Sequence, residues 1–236
     1  MQPFHFKQFS IQHSQSGHKV GTDGVLLGAW TDLDFRPYTI LDIGAGTGLI
    51  SLIMAQRSAA EQIDAIEIDP EAYEECVLNF ENSAWNDRLF CYHGDILEFA
   101  DEPDLKYDLI ISNPPFFERN TKESINKRTV ARQHQLLTYE DLLYSVSKLL
   151  SENGQFSTIM PYSDHTEFIS KAENLHLFPF KITQVKGHEN TGFKRSLIQF
   201  NFQSKPLKTD ELIIEKARHD YTEAYKKLVK EFYLKL

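Results

Sequence analysis

The chain has 236 residues, 41% of them hydrophobic and 25% charged, enough to bury a sizeable core and ordinary for a globular α/β domain. A net charge of −9 excludes a broad nucleic-acid coat, because phosphate binding rests on Lys and Arg, but it leaves room for a local basic patch. Two cysteines, Cys76 and Cys91, lack CxxC spacing and suit a reducing cytoplasm; the start lacks a signal-peptide layout, and no run of about 18 apolar residues could span a bilayer.

Phe4, Phe6, Phe9 and Ile11 give the first residues a strand-like pattern, leading through Lys19-Val20-Gly21-Thr22-Asp23-Gly24 into the apolar Val25-Leu26-Leu27-Gly28-Ala29-Trp30. A short helix is expected there, with Thr22 or Asp23 as its cap. Thr22 is also a candidate for contact with the charged tail of a cofactor. Thr39 to Ile43 reads as a buried strand, and Gly44-Ala45-Gly46-Thr47-Gly48 follows at once, before an apolar helix from about Leu49 to Gln56. Gly44, Gly46 and Gly48 allow a sharp turn and let a ligand approach main-chain atoms.

A second strand, Gln62 to Ile68, carries Glu67 where a carboxylate can accept hydrogen bonds from ribose hydroxyls; a plain solvated acid is the competing reading. Asp69-Pro70-Glu71 opens a helix with an acid as cap and proline in the first turn, and Ala72, Cys76 and Phe80 form its core face. Leu89 to His93 is a third strand, ending in Gly94-Asp95-Ile96. There Asp95 could bond an adenine amine and Ile96 pack its face, against the alternative of a turn residue.

The fourth strand, Asp108 to Ser112, stops at Asn113-Pro114-Pro115-Phe116. Proline lacks an N–H and fixes φ, so the sheet cannot continue through Pro114 and Pro115. The stiff turn offers two acceptors, the Asn113 side-chain oxygen and the Pro114 carbonyl, beside an aromatic ring. Two acceptors could take both N–H bonds of a base amine such as N6 of adenine and localise its lone pair, with Phe116 stacking on the ring. A surface turn with a core aromatic is the bland alternative. For the cofactor, the dinucleotide fingerprint wants a third glycine where this chain has Leu49. S-adenosylmethionine has no pyrophosphate and needs only the tight turn and polar neighbours such as Asp42, so the balance moves to the sulfonium cofactor.

With these motifs in order from Lys19 to Phe116, the chain resembles the class I methyltransferases, and within them the amino-methyltransferases marked by Asn-Pro-Pro-aromatic. It is similar more narrowly to the bacterial tRNA1(Val) adenine-N6 methyltransferases, through the motifs above and the tail Tyr221-Thr222-Glu223-Ala224-Tyr225 with Glu231-Phe232-Tyr233-Leu234. The resemblance implies a Rossmann-like α/β fold with a seven-stranded, mostly parallel sheet whose last strand is antiparallel. It also implies S-adenosylmethionine as donor, adenine 37 of the tRNA as target, and Asn113 and Pro114 as acceptors. Phe116 holds a place often taken by tyrosine, which keeps stacking and loses a hydroxyl.

Beyond the turn, Arg119, Lys122, Lys127, Arg128, Arg132 and His134 form a locally basic stretch, either a solvated loop or a site that steers RNA phosphates to the cleft. Leu142, Leu143, Val146, Leu149 and Leu150 give a core helix over Tyr139 to Leu150; then come a strand from Gln155 to Met160 and a helix from Ser163 to Asn174. Phe178 to Lys186 and Ser196 to Phe202 are expected to pair around the turn-rich Gly187 to Gly192. A short strand at Leu212-Ile213-Ile214 and a terminal helix from Thr222 to Leu234, anchored by Tyr225 and Phe232, complete the chain. Nine histidines without ligand spacing give no reason to assign a metal. The expectation is therefore a single, monomeric domain over 1–236, with 1–38 covering the cofactor and 39–236 forming the core. Its expected activity is N6-adenine methylation of tRNA. Guanine-N2 methylation of ribosomal RNA, protein-glutamine methylation and a non-enzymatic RNA chaperone are the rivals.

Overall fold

The computed structural model describes residues 2–13, 20–102, 104–115 and 137–235. Its centre is one nine-stranded sheet built of β3 (Thr39–Ile43), β4 (Gln62–Glu67), β5 (Leu89–His93), β6 (Tyr107–Ser112), β7 (Leu150–Pro161), β8 (Phe178–His188), β9 (Phe193–Asn201), β10 (Lys208–Ala217) and β11 (Asp220–Tyr221). The spatial order is β11-β10-β8-β9-β7-β6-β3-β4-β5, with a separate β1–β2 hairpin (Phe4–His5, Ser10–Ile11). Strands β5, β4, β3, β6 and β7 run parallel, and β9 enters antiparallel between β7 and β8. That is the expected seven-stranded core with its antiparallel last strand, to which β10 and β11 add two strands at the β8 edge.

Helices cover both faces because each central strand alternates its side chains between two cores. Ile40, Leu109 and Ile111 face one core, with α1 (Thr22–Trp30), α2 (Leu49–Arg57), α3 (Pro70–Glu81) and α7 (Glu223–Val229). Leu41, Ile43, Tyr107 and Ile110 face the other, with α4 (Ile96–Ala100), α5 (Tyr139–Leu149) and α6 (His165–Glu173). Trp30 fixes α1 to the sheet: its indole N–H donates to Thr183 Oγ1 at 2.7 Å, and Lys181 Nζ lies 4.3 Å from its ring.

Several expected boundaries move. Gly21, in extended conformation and without a side-chain bond, takes the cap position of α1, while Asp23 accepts from Arg195 Nε at 2.8 Å; neither Thr22 nor Asp23 caps the helix. Strand β7 starts at Leu150, so Gly154 lies inside it, where an added Cβ would come within 3.0 Å of the Asp108 carbonyl oxygen. A register shift between β6 and β7 accommodates that close approach. Strand β10 runs well beyond Leu212-Ile213-Ile214 because backbone pairing with β8 carries its charged, exposed start, and the terminal helix ends at Val229 instead of Leu234. Past that end the chain returns to the N-terminal arm: Phe6 bridges Tyr233, and Lys7 N–H donates to the Phe232 carbonyl at 2.9 Å.

Candidate active site at the carboxyl edge

The carboxyl ends of β3, β4, β5 and β6 gather the predicted residues on one edge of the sheet. The turn after β3 has Gly44, Gly46 and Gly48 at φ +70°, +55° and +79°, a region that costs other residues about 1–2 kcal/mol. At Gly48 the space is also closed, since a Cβ would meet Phe80 Cε1 at 2.5 Å and Cys76 Sγ at 2.8 Å. At Gly44 it is open, with no atom within 4 Å. The two glycines thus serve opposite ends, one seating the turn on α3 and one leaving room above it.

Glu67 holds this turn. It is only 6% exposed; its Oε2 accepts from Gly46 N–H at 2.7 Å, and its Oε1 from the N–H groups of Ile68 and Asp69, each at 2.9 Å. Carboxylate oxygens can each accept more than one bond, so a ribose role remains compatible with this clamp. Asn79 of α3, 2% exposed, ties in the N-terminal arm. Its amide N–H groups donate to the carbonyls of Thr47 at 2.8 Å and Gln12 at 3.0 Å, and its Oδ1 accepts from Gln12 N–H at 2.8 Å. Sequence reasoning missed it, because an asparagine in the middle of a helix carries no signal of such partners.

Asp42 lies fully buried beneath the turn. Its Oδ2 accepts from the Ser51 backbone N–H at 3.1 Å and hydroxyl at 2.7 Å, while its Oδ1 has no partner among the described residues. Burial pushes its carboxyl up to about 7, against the Ser51 bonds that lower it, and the nearby Glu67 charge adds a smaller push upward.

A crevice of about 110 Å³ opens over β3, β4 and β5. Ile43, Gly44, Ile66, Ile68, Gly94, Asp95, Ile96 and Leu97 line it, with Leu137 and Asp141 from beyond β6. Asp95 caps α4 through Leu97 N–H at 2.9 Å and still faces the crevice, so the capping and ligand readings coexist there. An apolar cleft with a polar group at its rim suits a purine. Ile68 follows Glu67 directly and could have been found beside it; Leu137 and Asp141 had no local sign, since the fold alone brings them here. Thr22 lies elsewhere, in a second crevice over the tips of β8, β9 and β10.

Asn113 stands at the tip of β6, next to β3 in the sheet, and Ser112 Oγ donates to the Ile43 carbonyl at 2.8 Å to join the two tips. Asn113 is partly buried, and its Oδ1 is buried with no partner among the described residues. Pro114 is buried and Pro115 exposed. Phe116 and the basic residues Arg119, Lys122, Lys127, Arg128, Arg132 and His134 lie outside the described residues.

Residues 20–160, which contain all of these strand tips up to Asn113, match the model of the methyltransferase small domain. The chain belongs to this family. Within it, 54% of residues are identical to a tRNA1(Val) (adenine(37)-N6)-methyltransferase of Christiangramia forsetii, over all of this chain and 99% of that one. Identity to the Flavobacterium psychrophilum protein of the same name is 52%, over 99% of this chain and all of the relative. A predicted O-methyltransferase from Agrobacterium tumefaciens shares the fold at TM-score 0.71 and 21% identity, over 89% of this chain and 96% of that one. This chain thus has the class I methyltransferase architecture that the resemblance implied.

Proposed function

We propose that this protein transfers a methyl group from S-adenosylmethionine to N6 of an unpaired adenine in tRNA, adenine 37 of tRNA1(Val). The observation that carries this reading is the buried Oδ1 of Asn113, without a partner among the described residues, at a strand tip beside the crevice. A buried acceptor left alone costs about 1–3 kcal/mol, and an amine substrate that donates to it recovers that cost at the reacting centre. The names of relatives about half identical along their whole length support the choice of tRNA and of adenine.

The residues fit the donor. The crevice walls offer apolar faces for adenine, Asp95 an acceptor for its amine, Glu67 a carboxylate for the ribose, and open Gly44 a place for close approach. The Asp42 carboxylate, whose Oδ1 has no partner among the described residues, favours a cation above the turn, and a cation there would in turn favour its ionised form. When bound, S-adenosylmethionine supplies a methyl group on a cationic sulfur.

Asn113 Oδ1 would accept one N6–H, and the Pro114 carbonyl the other, orienting the nitrogen lone pair for in-line attack on the methyl carbon. The rigid double proline keeps that alignment without a side chain that must reorganise. The donor would supply the methyl carbon, its C–S bond giving way to the new C–N bond, and the amine held by Asn113 and Pro114 would lose its proton to solvent. Residues 1–38, tied to the glycine turn through Gln12 and Asn79, cover the donor in this reading, and the whole chain works as one domain.

Transfer of tritiated methyl groups to a tRNA1(Val) transcript, followed by nucleoside digestion, tests the reading: N6-methyladenosine is expected. Label in guanosine or in protein would replace it with one of the rivals. Asn113→Ala should lower turnover at least a hundredfold while cofactor binding by calorimetry persists; normal turnover would remove Asn113 from the mechanism.

A further inference from the structure

The second crevice, of about 580 Å³, opens over the tips of β8, β9 and β10, closed on one side by α1 and α7. We propose that it holds a nucleotide of the tRNA flanking the target adenine; this rests on the tRNA reading above and adds where the RNA lies.

Strand order carries the argument. Along the carboxyl edge the sequence of tips is β5, β4, β3, then β6 and β7, then β9, β8 and β10. The donor crevice occupies the first group and the second crevice the last, so Asn113 at the β6 tip stands between them. At about 4.8 Å per strand, β9 to β10 lie roughly 10–20 Å from Asn113, the reach of a few nucleotides of an opened loop. An RNA strand that delivers its adenine to Asn113 on the side away from the donor crosses this crevice.

The lining suits that occupant. Tyr221 and Tyr233, both half-buried, supply aromatic surface, and Tyr221 rests on the buried Tyr225 ring 5.1 Å away. Burial raises the Tyr225 and Tyr233 hydroxyls above their ordinary range, so both stay neutral, and the two hydroxyls hydrogen-bond to each other, which fixes the Tyr233 ring at the crevice wall. Lys194 and Lys235 are exposed at the rim, and among the described residues no carboxylate engages either. Of the two acids that line the crevice, Asp23 is committed to Arg195 at 2.8 Å, and Glu215 lies beside Tyr221 in the β10–β11 pairing. Aromatic faces with unpaired lysines at their rim are what a stacked base and its phosphates require. In a chain of net charge −9, two lysines at the rim of one crevice lower the repulsion that a polyanion meets there.

The test measures the KM for tRNA1(Val) transcript, its salt dependence, and donor affinity, in the wild type, in the Lys194→Glu/Lys235→Glu double variant and in Tyr221→Ala. The double variant should raise the KM for tRNA about tenfold and flatten the slope of log KM against log salt by about 1–2. Tyr221→Ala should raise KM roughly tenfold with little change in salt slope, since stacking is not a counterion effect. Cross-linking wild-type protein to a transcript carrying 4-thiouridine near position 37 should label peptides that contain Lys194 or Tyr221, a readout that does not depend on variants folding. If the wild type methylates tRNA while KM and salt slope stay unchanged in correctly folded variants, or cross-links fall elsewhere, the crevice assignment is overturned alone. If the wild type methylates no tRNA, the functional reading itself fails.

Discussion

Asp42→Asn should make this protein more stable at alkaline pH and worse at holding its donor. In the wild type the folded chain raises the Asp42 carboxyl from 3.8 to about 7. A raised value means that the fold favours the protonated form, so this stabilising contribution is complete below pH 3.8. It is lost as pH rises toward 7, at about 1.4 kcal/mol per pH unit and ~4 kcal/mol in all. Asparagine escapes that loss and keeps an oxygen for the two Ser51 donors, at the cost of a buried N–H group of about 1–3 kcal/mol. The variant should therefore gain about 1–3 kcal/mol at pH 8, or roughly 3–10 °C in Tm for a chain of this size. Between pH 8 and pH 5 the advantage should shrink by about 2–3 kcal/mol and vanish. Calorimetric melting without ligand at both pH values, at matched ionic strength, measures it. An equal Tm difference at pH 5 and pH 8 would refute the claim that a buried, incompletely solvated carboxylate sits under the turn. In the wild type, donor affinity should rise with pH and level off near 7, because a bound cation favours ionised Asp42; in the variant it should be weaker and flat.

Asn79→Ala removes the bonds that join Gln12 to Thr47 and should weaken donor binding at least tenfold, with proteolysis reporting a released arm. The glycines should separate cleanly: Gly48→Ala strikes Phe80 and Cys76 and should cost more than ~2 kcal/mol of stability by denaturant titration, whereas Gly44→Ala costs only the backbone penalty of about 1–2 kcal/mol and should mainly reduce donor affinity. Lys127→Glu with Arg128→Glu should weaken RNA binding in a filter assay and leave donor affinity intact; equal loss of both would count against the steering role of that stretch.

The central strands were legible because they obey one local rule. Thr39–Ile43 and Leu89–His93 emerge at their expected bounds, and Asp69 caps α3 through Glu71 and Ala72 N–H groups as its place before Pro70 implied. Glycines and acids at strand ends marked the site because only a few residue types tolerate those backbone positions or carry that charge. What stayed hidden is non-local. Residues Lys208 to Glu211 are exposed and mostly charged, so nothing in them reads as strand until β8 offers its free edge. Leu137 and Asp141 join the crevice over β3, β4 and β5 from about forty residues beyond Asp95, through packing of α5 on the α4 face. Asn79 looked like any polar helix residue, and its importance lies in two backbone segments that reach it from far along the chain.

The pairing of Phe6 with Tyr233, and of Lys7 with Phe232, sets a timetable for synthesis. The arm that leans on the glycine turn leaves the ribosome before the strands of the sheet but finds its aromatic neighbours only when Phe232 and Tyr233 have emerged. A nascent polypeptide can thus assemble its central sheet early and still lack the contacts that seat this arm. Trimming the residues around Tyr233 would loosen the arm from the far side of the fold, without touching any residue of the arm itself.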